Sequence, residues 1–97
     1  MALEIVWTSE ADREFERIIE YLLKEWSENE VIEFVKTTDK IIEYISVYPR
    51  MFRKTNKRNV HEALVTEHNL MVYKVFKDRI HIITFYDTRQ HPRKKKI

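Results

Sequence analysis

Residues 70–87, LMVYKVFKDRIHIITFYD, decide the fold. Two apolar runs, at 70–76 and 79–87, are rich in β-branched and aromatic residues and are separated by two polar residues. Runs of this kind are typical of two β-strands joined by a tight turn. A third run of similar character, at 59–66, precedes them, so the second half of the chain predicts a three-stranded antiparallel meander.

The turns of this meander must form without glycine, since the chain contains none. We expect two-residue turns at His68-Asn69 and Lys77-Asp78. Asn69 and Asp78 are the residues there that best tolerate the positive φ angles of tight hairpins.

These turns distribute the meander between two faces, because successive strand residues point to opposite sides of a sheet. The face predicted to pack under helices carries Val60, Glu62, Leu64, Thr66, Met71, Tyr73, Val75, Ile80, Ile82, Thr84 and Tyr86. The opposite face carries His61, Ala63, Val65, Leu70, Val72, Lys74, Phe76, Arg79, His81, Ile83 and Phe85. On this second face Lys74 and His81 are predicted to be cross-strand neighbours, with His61 and Arg79 close to them.

The first half of the chain predicts a short strand followed by two helices. Residues 4–7 are apolar and β-prone. After a cap at Thr8 or Ser9, apolar residues recur at helical spacing as far as Trp26. Ser27 then begins a second amphipathic helix with a capping-box sequence, so the two helices are predicted to form an antiparallel hairpin.

The composition fits one small folded domain. The 97 residues are 43% hydrophobic and include 18 basic and 16 acidic side chains. We predict a single α+β domain over residues 1–97, ordered β-α-α-β-β-β, with the helical hairpin packed on a mainly antiparallel twisted sheet. Cysteine is absent, which excludes disulfides and a thiol nucleophile and suits a reducing cytoplasm. Neither a leader peptide nor a membrane span is expected.

The small net charge of +2 conceals a strong division along the chain. Residues 1–49 hold 5 Lys/Arg and 12 Asp/Glu, whereas residues 50–97 hold 13 Lys/Arg and 4 Asp/Glu. Much of the basic charge lies in a loop at 50–58 and in a C-terminal tail at about 88–97. Such an imbalance indicates a surface that meets an anionic partner, either nucleic acid or an acidic protein segment.

Two segments, EIVWTSEADREFERIIEYL at 4–22 and HNLMVYKVFKDRIHIITFYDTRQHP at 68–92, resemble the RelE/ParE superfamily of bacterial type II toxins. The positions that match the family pattern near the C-terminus are Asn69, Tyr73, Asp87, Arg89, Gln90 and Pro92. The resemblance implies growth inhibition, plasmid stabilization and a cognate antitoxin, with operator DNA bound only through the antitoxin complex. The RelE branch cleaves mRNA on the ribosome, whereas the ParE branch poisons DNA gyrase.

RNA cleavage by the RelE route would require groups that move protons and stabilise a pentavalent phosphorane. The candidates for these roles are Arg58, Lys74, His81, Arg89 and His91. No metal-ligand spacing is present, and no cofactor is expected.

The sequence departs from the RelE branch at Leu70, where the ribonucleases that it resembles typically carry arginine. Its C-terminal segment, QHPRKKKI, also contains only one residue that could serve as the proton donor that the RelE branch places near the C-terminus, namely His91. The resemblance is therefore closer to the ParE-like branch, with a toxin that acts by surface binding rather than catalysis. The residues predicted to bind the target or the antitoxin are Arg53, Lys54, Lys57, Arg58, Lys74, Arg89 and Arg93. The alternatives are a RelE-like endoribonuclease and a degenerate toxin that only binds its antitoxin.

Overall fold

A computed structural model describes residues 2–88. Two helices and five strands follow one another along these residues. They are β1 (Glu4–Trp7), α1 (Ser9–Glu25), α2 (Glu28–Val47), β2 (Arg53–Lys54), β3 (Val60–Thr66), β4 (Asn69–Val75) and β5 (Arg79–Asp87). The sheet order is β1-β5-β4-β3-β2, with β1 parallel to β5 and every other pair antiparallel. The predicted α+β class and the order of its main elements are confirmed.

The strand β2 lies inside the segment that the sequence analysis predicted to be a basic loop. It was missed because two exposed basic residues carry no apolar alternation. Arg53 pairs with Glu62 of β3 and forms an ion pair with its carboxylate at 3.0 Å, and Lys54 pairs with His61. The basic segment is therefore held against the sheet edge.

Both helices begin at the predicted caps. The Thr8 hydroxyl accepts a hydrogen bond from the Ala11 N–H at 3.0 Å, and the Ser27 hydroxyl accepts one from the Glu30 N–H at 3.3 Å. Trp26 was predicted to continue the apolar stripe of α1, but this was wrong: it is the C-cap and half exposed.

The core lies between the helical hairpin and one face of the sheet, with α1 packed mainly on β5 and α2 on β3. Four aromatic rings occupy its centre, with the centroids of contacting rings 5.0–6.1 Å apart, those of Trp7, Phe15, Phe34 and Phe85. Aromatic side chains contribute large apolar areas to a small core, so this cluster joins β1, both helices and β5.

Two irregularities change the predicted sheet faces. The β3–β4 pairing shifts between Leu64 and Thr66, and the β4–β5 pairing shifts by one residue at Ile83. A shift of one residue inverts the faces of all residues beyond it.

The residues of β3 were therefore assigned to the wrong sides. His61, Ala63 and Val65 are buried under the helices, whereas Leu64 is exposed. In β5 the predicted register holds as far as Ile82, and Lys74 and His81 are neighbours as expected. Beyond the shift, Phe85 enters the core.

The first turn was predicted one residue too late: Glu67 and His68 form it, and Asn69 is already the first residue of β4. The prediction of positive φ at Asn69 and Asp78 was also wrong. Among residues 2–88, Asn59 is the non-glycine residue with positive φ, at 61°. It lies between the basic loop and β3, and its carbonyl accepts a hydrogen bond from the Val75 N–H at 2.9 Å. Asparagine tolerates this left-handed geometry better than most residues with a side chain.

Candidate functional site

The start of the basic loop is fixed by two buried rings of the sheet. The Tyr73 hydroxyl donates a hydrogen bond to the Pro49 carbonyl at 2.8 Å. The His61 Nδ1 lies 3.1 Å from the Phe52 carbonyl, which can only accept, so Nδ1 carries the proton. The two rings stack at 5.4 Å with an interplanar angle of 16°. The basic residues that follow therefore project from a rigid base.

The environment of Tyr73 is strongly desolvated. Its side chain is fully buried, and this burial raises the pKa of the phenol from 10.0 to about 12. A hydrogen bond from the Phe52 backbone and the positive charge of Arg50 both act in the opposite direction. The phenol therefore stays protonated and holds its hydrogen bond to Pro49 throughout the physiological range.

The tip of the loop is closed by Thr55. Its hydroxyl donates to the Val60 carbonyl at 2.9 Å and accepts a hydrogen bond from the Lys57 N–H at 3.1 Å. The left-handed Asn59 then turns the chain into β3. As a result the loop separates two hollows, with Lys57 lining one and Arg58 lining the other.

The first hollow, named here the edge hollow, lies on the open sheet face beside β2. It has a volume of about 420 Å³, and its lining includes Arg53, Lys54, Lys57, Glu62, Leu70 and Tyr86. The floor is partly apolar, and the Arg53–Glu62 ion pair compensates one of its cations. Tyr86 was predicted to face the helices, but the shift at Ile83 places it in this hollow.

The second hollow, named the corner hollow, lies where β3 and β4 meet the end of the loop. Its volume is about 560 Å³, and its lining includes Arg50, Arg58, Asn59, Lys74, Phe76 and Lys77. Among residues 2–88, no carboxylate lines it, and none of its four cations forms an ion pair.

A cluster of cations surrounds Phe76 at the side of the corner hollow. The Lys74 ammonium lies 5.3 Å and the Arg79 guanidinium 4.8 Å from the centre of the Phe76 ring. The His81 ring centroid lies 4.6 Å from it. A cation over an aromatic ring is attracted by the negative face of the ring's quadrupole. The Phe76 ring therefore stabilises Lys74 and Arg79 close to each other.

The Arg79 Nε–H donates to His81 Nε2 at 3.1 Å. That nitrogen therefore carries no proton in this arrangement, and Nδ1 carries the ring proton. His81 could act as a base or acid through Nε2 only after this contact is broken.

The predicted site residues fall into separate places. Arg53, Lys54 and Lys57 line the edge hollow, whereas Arg58 and Lys74 line the corner hollow. His81 neighbours Lys74 across the strands. Arg89, His91 and Arg93 lie outside the described residues.

Three residues of the corner hollow were not predicted as site residues, namely Arg50, Phe76 and Lys77. Arg50 and Lys77 follow or precede turns and resemble ordinary solvated charges, and Phe76 reads as a core residue of a strand. His61 was expected beside Lys74 but is buried on the other face, because the β3–β4 shift inverts its side. The residues of the corner hollow come from the basic loop and from the end of β4, and they become neighbours only through the pairing of β3 with β4.

Among residues 2–88, metal-ligand clusters and membrane-spanning helices are both absent. No group of three or more His, Cys, Asp or Glu side chains is placed to hold a metal ion. Neither helix has the length and apolar character needed to cross a membrane.

The family described as "ParE toxin of type II toxin-antitoxin system, parDE" matches residues 5–92. This match includes all of β1 except its first residue, the helical hairpin, both hollows and the first residues after β5. The chain belongs to the ParE toxin family. It is thus a toxin of the type II toxin–antitoxin class. The comparison with curated proteins gave no match.

Solved structures share the fold of this ParE-family toxin at low sequence identity. The chromosomal ParDE system of P. aeruginosa has a TM-score of 0.73 and 11% identity, covering 89% of this chain and 96% of that chain. The YoeB dimer of Staphylococcus aureus has a TM-score of 0.63 and 15% identity, covering 87% and 94%. The E. coli DinJ-YafQ toxin-antitoxin complex has a TM-score of 0.62 and 6% identity, covering 94% and 98%. These likenesses show the common fold.

Proposed function

We propose that this toxin inhibits an essential bacterial enzyme, such as DNA gyrase, by surface binding in the cytoplasm, and that a cognate antitoxin neutralises it. The observation that carries this proposal is the ParE family match over residues 5–92. The open, cation-lined sheet face gives such a toxin a contact surface without requiring a reaction at it. Plasmid stabilization would follow from toxicity that outlasts the antitoxin.

The antitoxin is proposed to use both layers of the molecule. Large apolar side chains are about half exposed or more along the helical hairpin, namely Leu23, Trp26, Ile32, Tyr44, Val47 and Tyr48. An amphipathic helix can bury such side chains, while an acidic segment can meet the basic residues of the edge hollow. Operator DNA is proposed to be recognised through the resulting complex.

A RelE-like ribosome-dependent endoribonuclease is the second candidate, because Lys74 and His81 are neighbours on the open face. Lys74 could stabilise phosphorane charge. The Arg79 contact to His81 Nε2 weighs against this route, since it occupies the nitrogen that would exchange a proton. Arg89 and His91, which complete the candidate set, lie outside the described residues.

The test compares purified toxin in a gyrase supercoiling assay with a translation assay in which mRNA ends are mapped. We expect lost supercoiling or gyrase-dependent DNA breaks and no new mRNA ends. Cuts in ribosome-bound message would instead establish the ribonuclease. Retained antitoxin binding without either effect would establish the degenerate toxin.

Arg89→Ala gives this test a matched variant. We expect it to relieve growth inhibition while the thermal unfolding midpoint is unchanged. Lys36→Ala, which removes the same charge from the exposed surface of α2, serves as the control and should remain toxic. Full toxicity of a folded Arg89→Ala protein would exclude Arg89 from the active surface.

A further inference from the structure

We propose that the corner hollow binds consecutive phosphates of a single nucleic-acid strand, independently of base sequence and without the antitoxin. Four cations, those of Arg50, Arg58, Lys74 and Lys77, converge on a concave surface of about 560 Å³. No ion pair within residues 2–88 compensates any of them. Such uncompensated convergence favours a ligand of high negative charge density.

The backbone around the hollow favours phosphates over an acidic peptide. The Val75 N–H is already bonded to the Asn59 carbonyl at 2.9 Å, and the Phe76 N–H to the Arg79 carbonyl at 2.8 Å. A peptide strand would therefore find no free donor at either position for the main-chain pairing by which strands are added to sheets. Side-chain cations remain, and these are the groups that contact nucleic-acid phosphates.

The Phe76 ring adds the second element of single-strand binding. It lies in the wall of the hollow, with Lys74 and Arg79 placed over it and His81 against it. Proteins that bind single strands without sequence preference combine a basic surface with aromatic or arginine planes on which bases stack. Phe76 supplies the aromatic plane of the hollow, and a base that stacks on it would displace the Lys74 ammonium from its face. Arg79 lies outside the lining and is held by its ion pair with Asp78 at 2.8 Å.

The corner hollow is distinct from the edge hollow. In the edge hollow the Glu62 carboxylate neutralises Arg53, one of the three cations there, whereas the corner hollow has no carboxylate among its described lining residues. The loop from Thr55 to Asn59 stands between the two and is closed by its own hydrogen bonds. A target or antitoxin could thus occupy one hollow while a nucleic-acid strand occupies the other.

The test measures fluorescence anisotropy of a labelled oligothymidylate of about 12 nucleotides with the full-length toxin. Lys74→Ala/Lys77→Ala is compared with Lys36→Ala/Lys40→Ala, which removes the same charge from the mixed-charge surface of α2. We expect the first pair to weaken binding about tenfold and the second to leave it unchanged. The slope of log affinity against log salt should be smaller in magnitude than that of wild type by about 1.4 in the Lys74/Lys77 variant, and unchanged in the Lys36/Lys40 variant. The tail is present in every variant, so its contribution cancels.

Three results would overturn the proposal: equal losses in both pairs, no loss in either, or displacement of the oligonucleotide from wild type by poly-glutamate of equal charge. The last would identify an acidic-peptide site. Tripolyphosphate should compete, and a mixed-sequence strand should bind as well as oligothymidylate.

If the Lys74/Lys77 pair fails to fold, Arg50→Gln/Arg58→Gln, at two exposed positions, gives the same readout. Oligonucleotide binding requires neither gyrase nor antitoxin, so its failure would leave the proposed function standing.

Discussion

At the scale of single residues, two buried polar rings determine where the basic loop lies. Tyr73 and His61 are both buried, and each binds one carbonyl of the segment 49–52. Their hydrogen bonds compensate for polar atoms that would otherwise be costly to bury. The His61 Nε2 has no partner within the described residues, which makes this position less stable than a fully satisfied one.

Tyr73→Phe tests this role through pH. The wild-type pKa of about 12 exceeds the usual 10.0, so the unfolded chain loses the phenolic proton first. The raised pKa therefore makes a contribution to the free energy of unfolding that depends on pH. This contribution is fully present below about pH 10 and is lost as the pH rises to about 12. Near neutral pH, wild type should be more stable by about 1 kcal/mol because of the hydrogen bond. Between pH 10 and 12 it should lose about 2 kcal/mol relative to the variant, which reverses their order.

The measurement is the free energy of unfolding by urea at a series of pH values. Lysines titrate equally in wild type and in Tyr73→Phe, so the difference between their free energies of unfolding reports on Tyr73 alone. Tyr44→Phe, at a half-exposed position, is the control and should follow wild type. A constant difference between wild type and Tyr73→Phe over the alkaline range would contradict the assignment.

At the scale of secondary-structure elements, Thr8 joins three of them. Its backbone N–H donates to the Ile82 carbonyl at 3.1 Å, and its hydroxyl donates to the Ile83 carbonyl at 2.8 Å while capping α1. Ile83 is the extra residue at the shift in the β5 register, and Ile82 is the last residue before it. One side chain therefore connects the end of β1, the start of α1 and the irregular part of β5.

Thr8→Ala should consequently destabilise the protein by about 2 kcal/mol, because a cap and a long-range hydrogen bond are lost together. Ser27→Ala removes a cap alone and should cost about 1 kcal/mol. Thr8→Ser keeps the hydroxyl and should recover most of the loss. Urea unfolding of the three variants provides the measurement, and equal effects for Thr8→Ala and Ser27→Ala would show that the bond to Ile83 contributes nothing.

At the scale of the whole molecule, the charge division of the sequence follows the layers of the fold. The acidic half is mainly the helical hairpin, and the basic half forms the loop, the meander and the tail. The two hollows both open on the basic layer. The molecule thus has one layer suited to apolar contacts and another suited to anions.

Truncation after Pro92 tests the contribution of the tail, since it changes the net charge from +2 to −2 by removing Arg93 and three lysines. We expect weaker target binding and a smaller salt dependence, with unfolding unchanged. The matched control removes four exposed cations from the helices, in the variant Arg13→Gln/Lys24→Gln/Lys36→Gln/Lys40→Gln. Binding to purified target is measured over a salt series. Equal effects of truncation and control would show that only total charge matters.

Local signals in the sequence were sufficient for both helices and for every strand except β2. Thr8 and Ser27 predicted the helix starts, the apolar runs predicted four of the five strands described, and the Lys77-Asp78 turn predicted the pairing of Lys74 with His81. The strand β2 was missed because its pairing depends on a distant partner, Glu62 of β3, rather than on its own composition.

The sequence by itself determined the fold class, the element order, the charge division and the family, because these depend on periodicity, caps and motifs that each segment carries locally. Only the tertiary structure decided which residues share a surface. Two one-residue register shifts moved His61 into the core and Tyr86 out of it. Arg58, which directly precedes the left-handed Asn59, lines a hollow with Lys74 rather than with Lys57. A register shift costs little locally yet inverts every later side chain, so it follows from packing between strands and helices and is not written in any one segment.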